Sequence, residues 1–545
     1  MGSAGLKLSP VFKTFAVLLF TALIVTPRPV TAQKLHTSSR WIVDEGGNRV
    51  KLACINWLSN LQPILAEGLH RRPVDALSAS IKSMGFNCVR FTWPLYLATN
   101  ESLSTRTVRQ TFQELGLHDA IAGIESNNPS IVDLPTIEAY KAVLTSLRNN
   151  NVMVILDNHI STPGMCCIYD DGNSFFGDRY LDPVQWMEGL RFMATLATGF
   201  ENVVGMSLRN ELRGPRQNVD LWYKYMQQGA ETVHAANPNV LVILSGLDYD
   251  TNLSFLQNRQ VNVTFTKKVV FELHWYAVSS SNSLSEWVNG NLNEVCARVS
   301  SKVEQTSIFL RRQGFPLFLS EFGVDQTGTD ENDARFFTCL LRTTAMLDLD
   351  FALWGLLGSY YLRDGIIDRD ESYGILNHNW TGVRNSTFLQ RISAIQPPFR
   401  GPGLKETGQH NIIFHPLTGM CVIRESPTSP LKLGSCKQSV NWIYTPRKNL
   451  MLKKKKMTRR YLQTDGPGKA VTIGLNLTTW ERISASRMHL ATNVGGKRAC
   501  LDVEGQLELV ARDCKCLSGD ASCDPSSQWF ILLSSTRLWR NLRSN

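Results

Sequence analysis

From Trp41 to about Ile395 the chain alternates short, β-branched apolar runs with longer stretches whose apolar residues recur at helical spacing. That alternation places parallel strands inside and helices outside. Eight runs can be counted, at 51–56, 87–92, 152–156, 203–208, 240–244, 269–273, 316–319 and 350–354, with helical stretches such as 137–149 and 221–236 between them. A (β/α)8 TIM barrel is the natural closure. Ahead of the first run, 41–50 has a Gly-Gly-Asn turn between two apolar stretches and reads as a hairpin across the barrel's bottom. The stretch 396–403 is rich in Pro and Gly, which deny it both helix and ladder, and reads as a linker.

Beyond the linker helical periodicity stops and short strand-like runs follow at regular intervals. Cys421, Cys436, Trp442 and Cys500, Cys514, Trp529 repeat one order, and Tyr461 to Trp480 reads as a third copy without cysteines. Three repeats of roughly 40 to 50 residues suggest threefold pseudo-symmetry. The expected plan is an α/β chain: 1–32 a signal peptide, 33–395 the barrel, 396–405 a linker, and 406–545 a smaller all-β domain.

Composition sharpens this. The 545 residues exceed one ordinary core, and 43% hydrophobic with 19% charged residues is the balance of a folded globular protein. Lys7 and Lys13, the apolar run 15–25 and Val30-Thr31-Ala32 read as a secretory signal cleaved after Ala32. That run falls short of the roughly 20 residues a membrane span needs, and no later stretch reaches it, so no integral membrane segment is expected. Export agrees with six Asn-x-Ser/Thr acceptors, at Asn100, Asn252, Asn262, Asn379, Asn385 and Asn476, and with 12 cysteines. Cys421 with Cys436 and Cys500 with Cys514 would each staple a short loop within one repeat, with Cys516 and Cys523 a third pair. Cys54 and Cys88 sit inside apolar runs and read as buried thiols. The vicinal Cys166 and Cys167 could bridge each other or two other partners. A net charge of +10 favours acidic wall or matrix polymers over nucleic acid, and its densest part, Lys453 to Lys456 with Arg459 and Arg460, reads as a solvated hairpin loop. A monomer is expected.

In a barrel the working side chains stand at the C-terminal ends of the strands. Here run two ends at Arg90, run three at His159, run four at Asn210-Glu211, run six at His274 and Tyr276, run seven at Glu321, and run eight at Trp354. Cleaving a glycosidic bond requires a proton for the leaving oxygen and a partner for the oxocarbenium-like carbon, which two facing carboxyls supply. Glu211 and Glu321 can face each other across the barrel mouth, about 5 to 5.5 Å apart. With Glu321 ionised, Glu211 is expected to keep its proton because it faces that anion. Arg90, His159, Asn210, His274 and Tyr276 can hold sugar hydroxyls, and Trp354 offers a flat face to a pyranose. Taken singly each has a bland explanation, such as a surface carboxylate or a core histidine; the order in which they occur is what points to sugar chemistry. No zinc spacing or nucleotide-binding loop accompanies them, Asp170-Asp171-Gly172-Asn173 lacks the spacing of a calcium loop, and no cofactor or metal is called for.

At these residues the sequence resembles glycoside hydrolase family 5, the cellulase-like branch of the retaining barrels. The resemblance implies Glu211 as general acid/base, Glu321 as nucleophile, Asn210 on a sugar 2-hydroxyl, and His159, His274 and Tyr276 in the cleavage subsite. It also implies Arg90 on Glu321 and Trp354 as stacking platform. The implied partner is a β-linked glycan, glucan or mannan, cleaved by an endo-acting secreted hydrolase. Leu212 follows the Asn-Glu pair where many members have Pro. The C-terminal part resembles ricin-type β-trefoil lectin domains, with Asp502 as candidate ligand of a second glycan and Gln528-Trp529-Phe530 as core motif. Two alternatives share the barrel: a transglycosylase on the same site, and a non-catalytic carbohydrate-binding protein. The retention of both carboxyls argues against the latter.

Overall fold

A computed structural model describes Gly2 and residues 34–280, 285–404, 406–426, 429–453, 459–518 and 523–537. The expected signal segment, apart from Gly2, and the run Lys454 to Lys456 lie outside the described residues. Eight parallel strands close into a barrel: β1 (Ala53–Trp57), β2 (Cys88–Pro94), β3 (Met153–Ile160), β4 (Val203–Ser207), β5 (Leu241–Leu244), β6 (Val269–His274), β7 (Leu317–Phe322) and β8 (Asp350–Leu353). Each overlaps one apolar run of the sequence, and β8 shuts the ring by pairing Phe351 with Ala53 of β1. Period-two alternation sends Leu52, Cys54, Cys88, Ile155, Val204, Leu241, Ile243, Val270, Phe318 and Ala352 into one buried cluster. That cluster packs the barrel solid and leaves the polar chemistry to the C-terminal mouth.

The bottom is closed by short strands at His36–Ser38 and Trp41–Val43, and by the expected turn, where Asp44 N–H donates to Asn48 O at 2.9 Å. Two Asp carboxyls pin this face. Lys51 Nζ lies 2.6 Å from Asp348 Oδ1, and Asp350 Oδ1 accepts from Leu52 N–H at 2.9 Å.

Cys54 and Cys88 are not buried thiols, as their apolar surroundings suggested, but a disulfide, the reason being register. They sit opposite each other on β1 and β2 with Cα atoms 4.2 Å apart, and both side chains point inward. Cys166 bonds to Cys167, and Cys296 to Cys339, which staples α1 (Leu292–Thr306) to α2 (Glu331–Leu347). Cys421–Cys436, Cys500–Cys514 and Cys516–Cys523 pair as their spacing predicts.

After the barrel comes a separate all-β domain whose described strands run from Glu406–His415 to Ile531–Arg537, with those two strands paired antiparallel. Val422, Leu433, Trp442, Leu462, Trp480, Leu490, Leu501 and Phe530 share its own apolar core. The connection is no free tether. Pro and Gly keep it irregular, but Phe399 is buried, Asp348 Oδ2 accepts from the N–H groups of Phe399 (3.0 Å) and Arg400 (3.1 Å), and Phe399 O accepts from Thr536 N–H at 3.1 Å.

The two parts are also joined directly. Ile412, Phe414, Met488, Trp529, Ile531 and Leu533 belong to the same buried cluster as the barrel's helices. Asn293, in the first turn of α1, donates to Cys516 O at 3.0 Å and accepts from Ser486 Oγ at 2.7 Å and Trp529 Nε1 at 3.0 Å. This shared core argues that the barrel cannot stand alone. Stripping the β domain would uncover several large side chains at roughly 1.5 to 3 kcal/mol each, comparable with a whole domain's stability. Truncation after Gly401 should therefore give aggregated protein or a Tm lowered by more than about 10 °C. A monomeric truncated barrel melting like the full chain contradicts this reading.

Candidate active site

The strand ends converge as anticipated. Arg90 enters from the middle of β2, wholly buried, and its Nη1 donates to Glu321 Oε1 at 2.7 Å and to Asn56 Oδ1 at 3.1 Å. Its Nη2 donates to Asn210 Oδ1 at 2.9 Å and lies 2.9 Å from Asp157 Oδ1. The Tyr276 hydroxyl donates to the other oxygen of Glu321 at 3.1 Å. Glu321 is thus gripped on both oxygens, by a guanidinium and a phenol, an arrangement that fixes its direction.

Glu211 follows β4 with a left-handed backbone (φ 44°), so the chain swings the carboxyl toward the mouth while Leu212 turns into the core. His274 Nδ1 lies 2.8 Å from Glu211 Oε1 and 3.6 Å from Glu321 Oε2, so the imidazole stands between the carboxyls. One carboxyl oxygen each of Glu211 and Glu321 and one nitrogen of His274 all lie within 4.8 Å of one another. Burial pushes the Glu211 carboxyl up to about 7, against the cations Arg213, His159 and Arg90, which favour its charged form. Desolvation therefore dominates, not the facing anion invoked from the sequence. Burial likewise lowers the His274 imidazole to about 4, so the ring is neutral at physiological pH.

His159 Nδ1 is 2.7 Å from Asp157 Oδ2, and its ring stacks on Trp354 with centroids 5.7 Å apart. Trp354 is 9% exposed, so little of its surface is open, and that little is all a sugar can stack on. All the barrel residues singled out from the sequence, Arg90, His159, Asn210, Glu211, His274, Tyr276, Glu321 and Trp354, thus meet in one site. Asp502 does not offer an open ligand site. It is 1% exposed, and its Oδ2 accepts from Gln528 Nε2 at 3.0 Å and lies 3.4 Å from Lys515 Nζ. Its carboxyl ties the domain together.

Three residues that the strand-end reading passed over matter here. Asp157 and Glu272 precede His159 and His274 by two positions, and alternation along a strand puts each pair on one face, so the signal was present. Against burial, which raises it, Arg90 and His159 hold Asp157 below the usual carboxylate range. Glu272 lies 3.7 Å from Arg90 Nη2 and accepts from Ser207, with burial raising it to about 7. Asp250 belongs to a loop and carried no such signal. The Asp171 loop is a polar turn: Arg213 Nη2 reaches Asp171 Oδ2 at 2.7 Å while its Nη1 donates to Glu211 O at 2.9 Å. That clamps the loop bearing Cys166 and Cys167 against the acid-bearing turn, and places their sulfurs 3.7 and 3.6 Å from Asn210 Nδ2.

Two facing carboxyls, one raised to about 7 by burial and the other gripped by a guanidinium and a phenol, with hydrogen-bonding and aromatic groups around both, fit a glycosidase. Comparisons with known proteins agree. The family model described as cellulase (glycosyl hydrolase family 5) matches residues 43–356. A glycosyl hydrolase 5 family protein of Chamaecyparis obtusa is 42% identical, covering 96% of this chain and 97% of that one. An endoglucanase of Paenibacillus polymyxa is 22% identical over 65% of this chain and 89% of its own length. Among solved structures, an endocellulase from Pyrococcus horikoshii in complex with cellotetraose superposes with a TM-score of 0.54 at 16% identity, covering 66% of this chain and 99% of that one. The chain belongs to glycosyl hydrolase family 5.

If Glu211 supplies the proton, kcat/KM on an unactivated β-glycoside should fall with rising pH through about 7, where Glu211 loses it. Arg213 favours the ionised form, so Arg213→Met should move that alkaline limb to higher pH. A limb that stays put or moves down would refute the electrostatic account.

Proposed function

We propose that this glycosidase hydrolyses internal β-linkages of a polysaccharide, a β-glucan or mannan, by double displacement with net retention at the anomeric carbon. The observation that carries the mechanism is the carboxyl pair, with oxygens within 4.8 Å and Glu321 gripped by Arg90 and Tyr276. Inverting enzymes need roughly 6.5 to 9.5 Å between carboxyls to seat a water, so this spacing favours direct attack. In the first step Glu321 attacks the anomeric carbon, the glycosidic C–O bond breaks, and Glu211 gives its proton to the leaving oxygen. Esterification cancels the Glu321 charge. Glu211, now a carboxylate, takes a proton from water as the water oxygen attacks the same carbon, which frees Glu321 and restores the acid. Asn210 and His159 bind sugar hydroxyls, and Trp354 stacks the ring.

The endo mode and the glucan preference are supported by the endoglucanase and endocellulase names of the relatives. Secretion after removal of residues 1–32 is supported by six disulfides, a chemistry of oxidising compartments. None of the described helices is long and apolar enough to cross a membrane. For the C-terminal domain we favour a β-trefoil at 406–545. Its described strands fall into three runs of four, and Trp442, Trp480 and Trp529 are all buried. The closed environment of Asp502 supports a buttressing role for this domain rather than lectin activity.

Reducing-end release from a panel of β-glucans, β-mannans and xylans identifies the glycan. Proton NMR of the first-formed sugar should show the β anomer from a β substrate, and an α product would overturn retention. Glu321→Gly should abolish turnover of a β-glycoside and regain part of it with azide or formate, giving the inverted product.

A further inference from the structure

Beneath the acid/base lies a buried carboxyl that the double displacement leaves without a part. The loop after β5 carries three successive non-glycine residues in the left-handed region, Asp248, Tyr249 and Asp250, with φ of 53°, 59° and 58°. Each such residue costs on the order of 1 kcal/mol, so the loop is held in this shape by its surroundings. The turn buries Asp250 completely under Glu211. Asp250 Oδ2 accepts from Glu211 N–H at 3.2 Å and faces His274 Nε2 at 3.5 Å, while Asp250 O accepts from His274 N–H at 3.0 Å. At the opposite edge of the same ring, Nδ1 stands 2.8 Å from Glu211 Oε1. The imidazole therefore bridges the acid/base carboxyl and Asp250.

A neutral imidazole has one N–H to place. If the proton sits on Nε2, the bare Nδ1 faces Glu211 and accepts its acidic proton, turning it away from the leaving oxygen. If it sits on Nδ1, that N–H donates to Oε1 and leaves Oε2–H free for the glycosidic oxygen. Nε2 is then a lone pair sealed in the protein, and Asp250 satisfies it only by carrying a proton. The charges around Asp250 favour that state: burial, Glu272 and Glu211 all raise its carboxyl well above the usual range, with Arg90 and the Glu211 N–H opposing. Around the ring itself stand Glu321, Arg90, Asp157 and His159.

We propose that Asp250 is a positioning residue that, as the neutral acid, donates to His274 Nε2 and so fixes the tautomer whose Nδ1–H holds Glu211. No proton is transferred along this chain, and the same Nδ1–H donates to Glu211 as acid in the first step and as carboxylate in the second. The proposal rests on the reading of Glu211 as acid/base.

The test compares Asp250→Asn, Asp250→Ala and Glu211→Ala on two aryl β-glycosides of one sugar, with dinitrophenol and unsubstituted phenol as leaving groups. An amide nitrogen in the place of Oδ2 in Asp250→Asn still donates to Nε2 but gives up the bond from Glu211 N–H, so its loss should be less than about tenfold and equal on the two substrates, with the pH profile of the wild type. Asp250→Ala should lose tenfold or more on the phenyl glycoside and little on the dinitrophenyl one, which needs no acid, and its alkaline limb should move up; general acids contribute about 10² to 10⁴. Asp250→Leu, which fills the space, takes the place of Ala if that variant does not fold. An equal loss of Asp250→Ala on both substrates would mean a merely structural role. An Asp250→Asn enzyme that depends on the leaving group as strongly as Asp250→Ala would mean that Asp250 works ionised. Either result overturns the proposal. Glu211→Ala is the separate control: if it shows no leaving-group dependence, the acid/base assignment has failed, whatever the Asp250 variants do.

Discussion

Burying a guanidinium forfeits several kcal/mol of hydration, and the barrel offsets that loss around Arg90 by bringing Asp157, Glu272 and Glu321 to it within 2.7 to 3.7 Å. The rest of the site follows from this arrangement. Arg90 draws one oxygen of Glu321 into place, orients Asn210 through its amide oxygen, and anchors Asn56 on β1. Five strands, β1, β2, β3, β6 and β7, are locked together by one cation at the depth where the apolar interior gives way to the mouth. With one central cation and several carboxyls beneath the mouth, not every carboxyl is favoured as an anion. Burial raises Glu211, Glu272 and Asp250 above the usual carboxylate range.

The two carboxyls differ in their surroundings, not in residue type. Glu321 is met by two donors. Glu211 faces His274, whose burial keeps it neutral, and burial raises the Glu211 carboxyl itself to about 7. Identical side chains acquire different surroundings because β7 presents its glutamate to Arg90 and the turn after β4 presents its own to an imidazole.

Much of this was legible in the sequence because the barrel's rules are periodic. Apolar runs located all eight strands, and the residues at their ends named the site, since strand ends in this fold share one face. What escaped was what depends on register or on loops. Cys54 and Cys88 are neighbours only because β1 and β2 pair without a shift, a fact no single strand carries. Asp157 and Glu272 lay in plain sequence two positions before the histidines, and alternation alone would have recovered them. Asp250 could not be found that way, because its place comes from a left-handed turn of ordinary residues. The segment 396–403 is irregular, as its Pro and Gly content implies, but lack of regular structure is not lack of contacts, and Phe399 is buried with its backbone bonded to Asp348 and Thr536.

The central claim is that Glu321 becomes covalently bonded to the sugar. A 2-deoxy-2-fluoro β-glycoside with a good leaving group slows both steps but the second more, so a retaining enzyme accumulates the ester. Peptide mass spectrometry of the inactivated protein should place one fluorosugar on Glu321. A label on Glu211, or an enzyme that turns over the parent glycoside yet forms no adduct, would contradict the account.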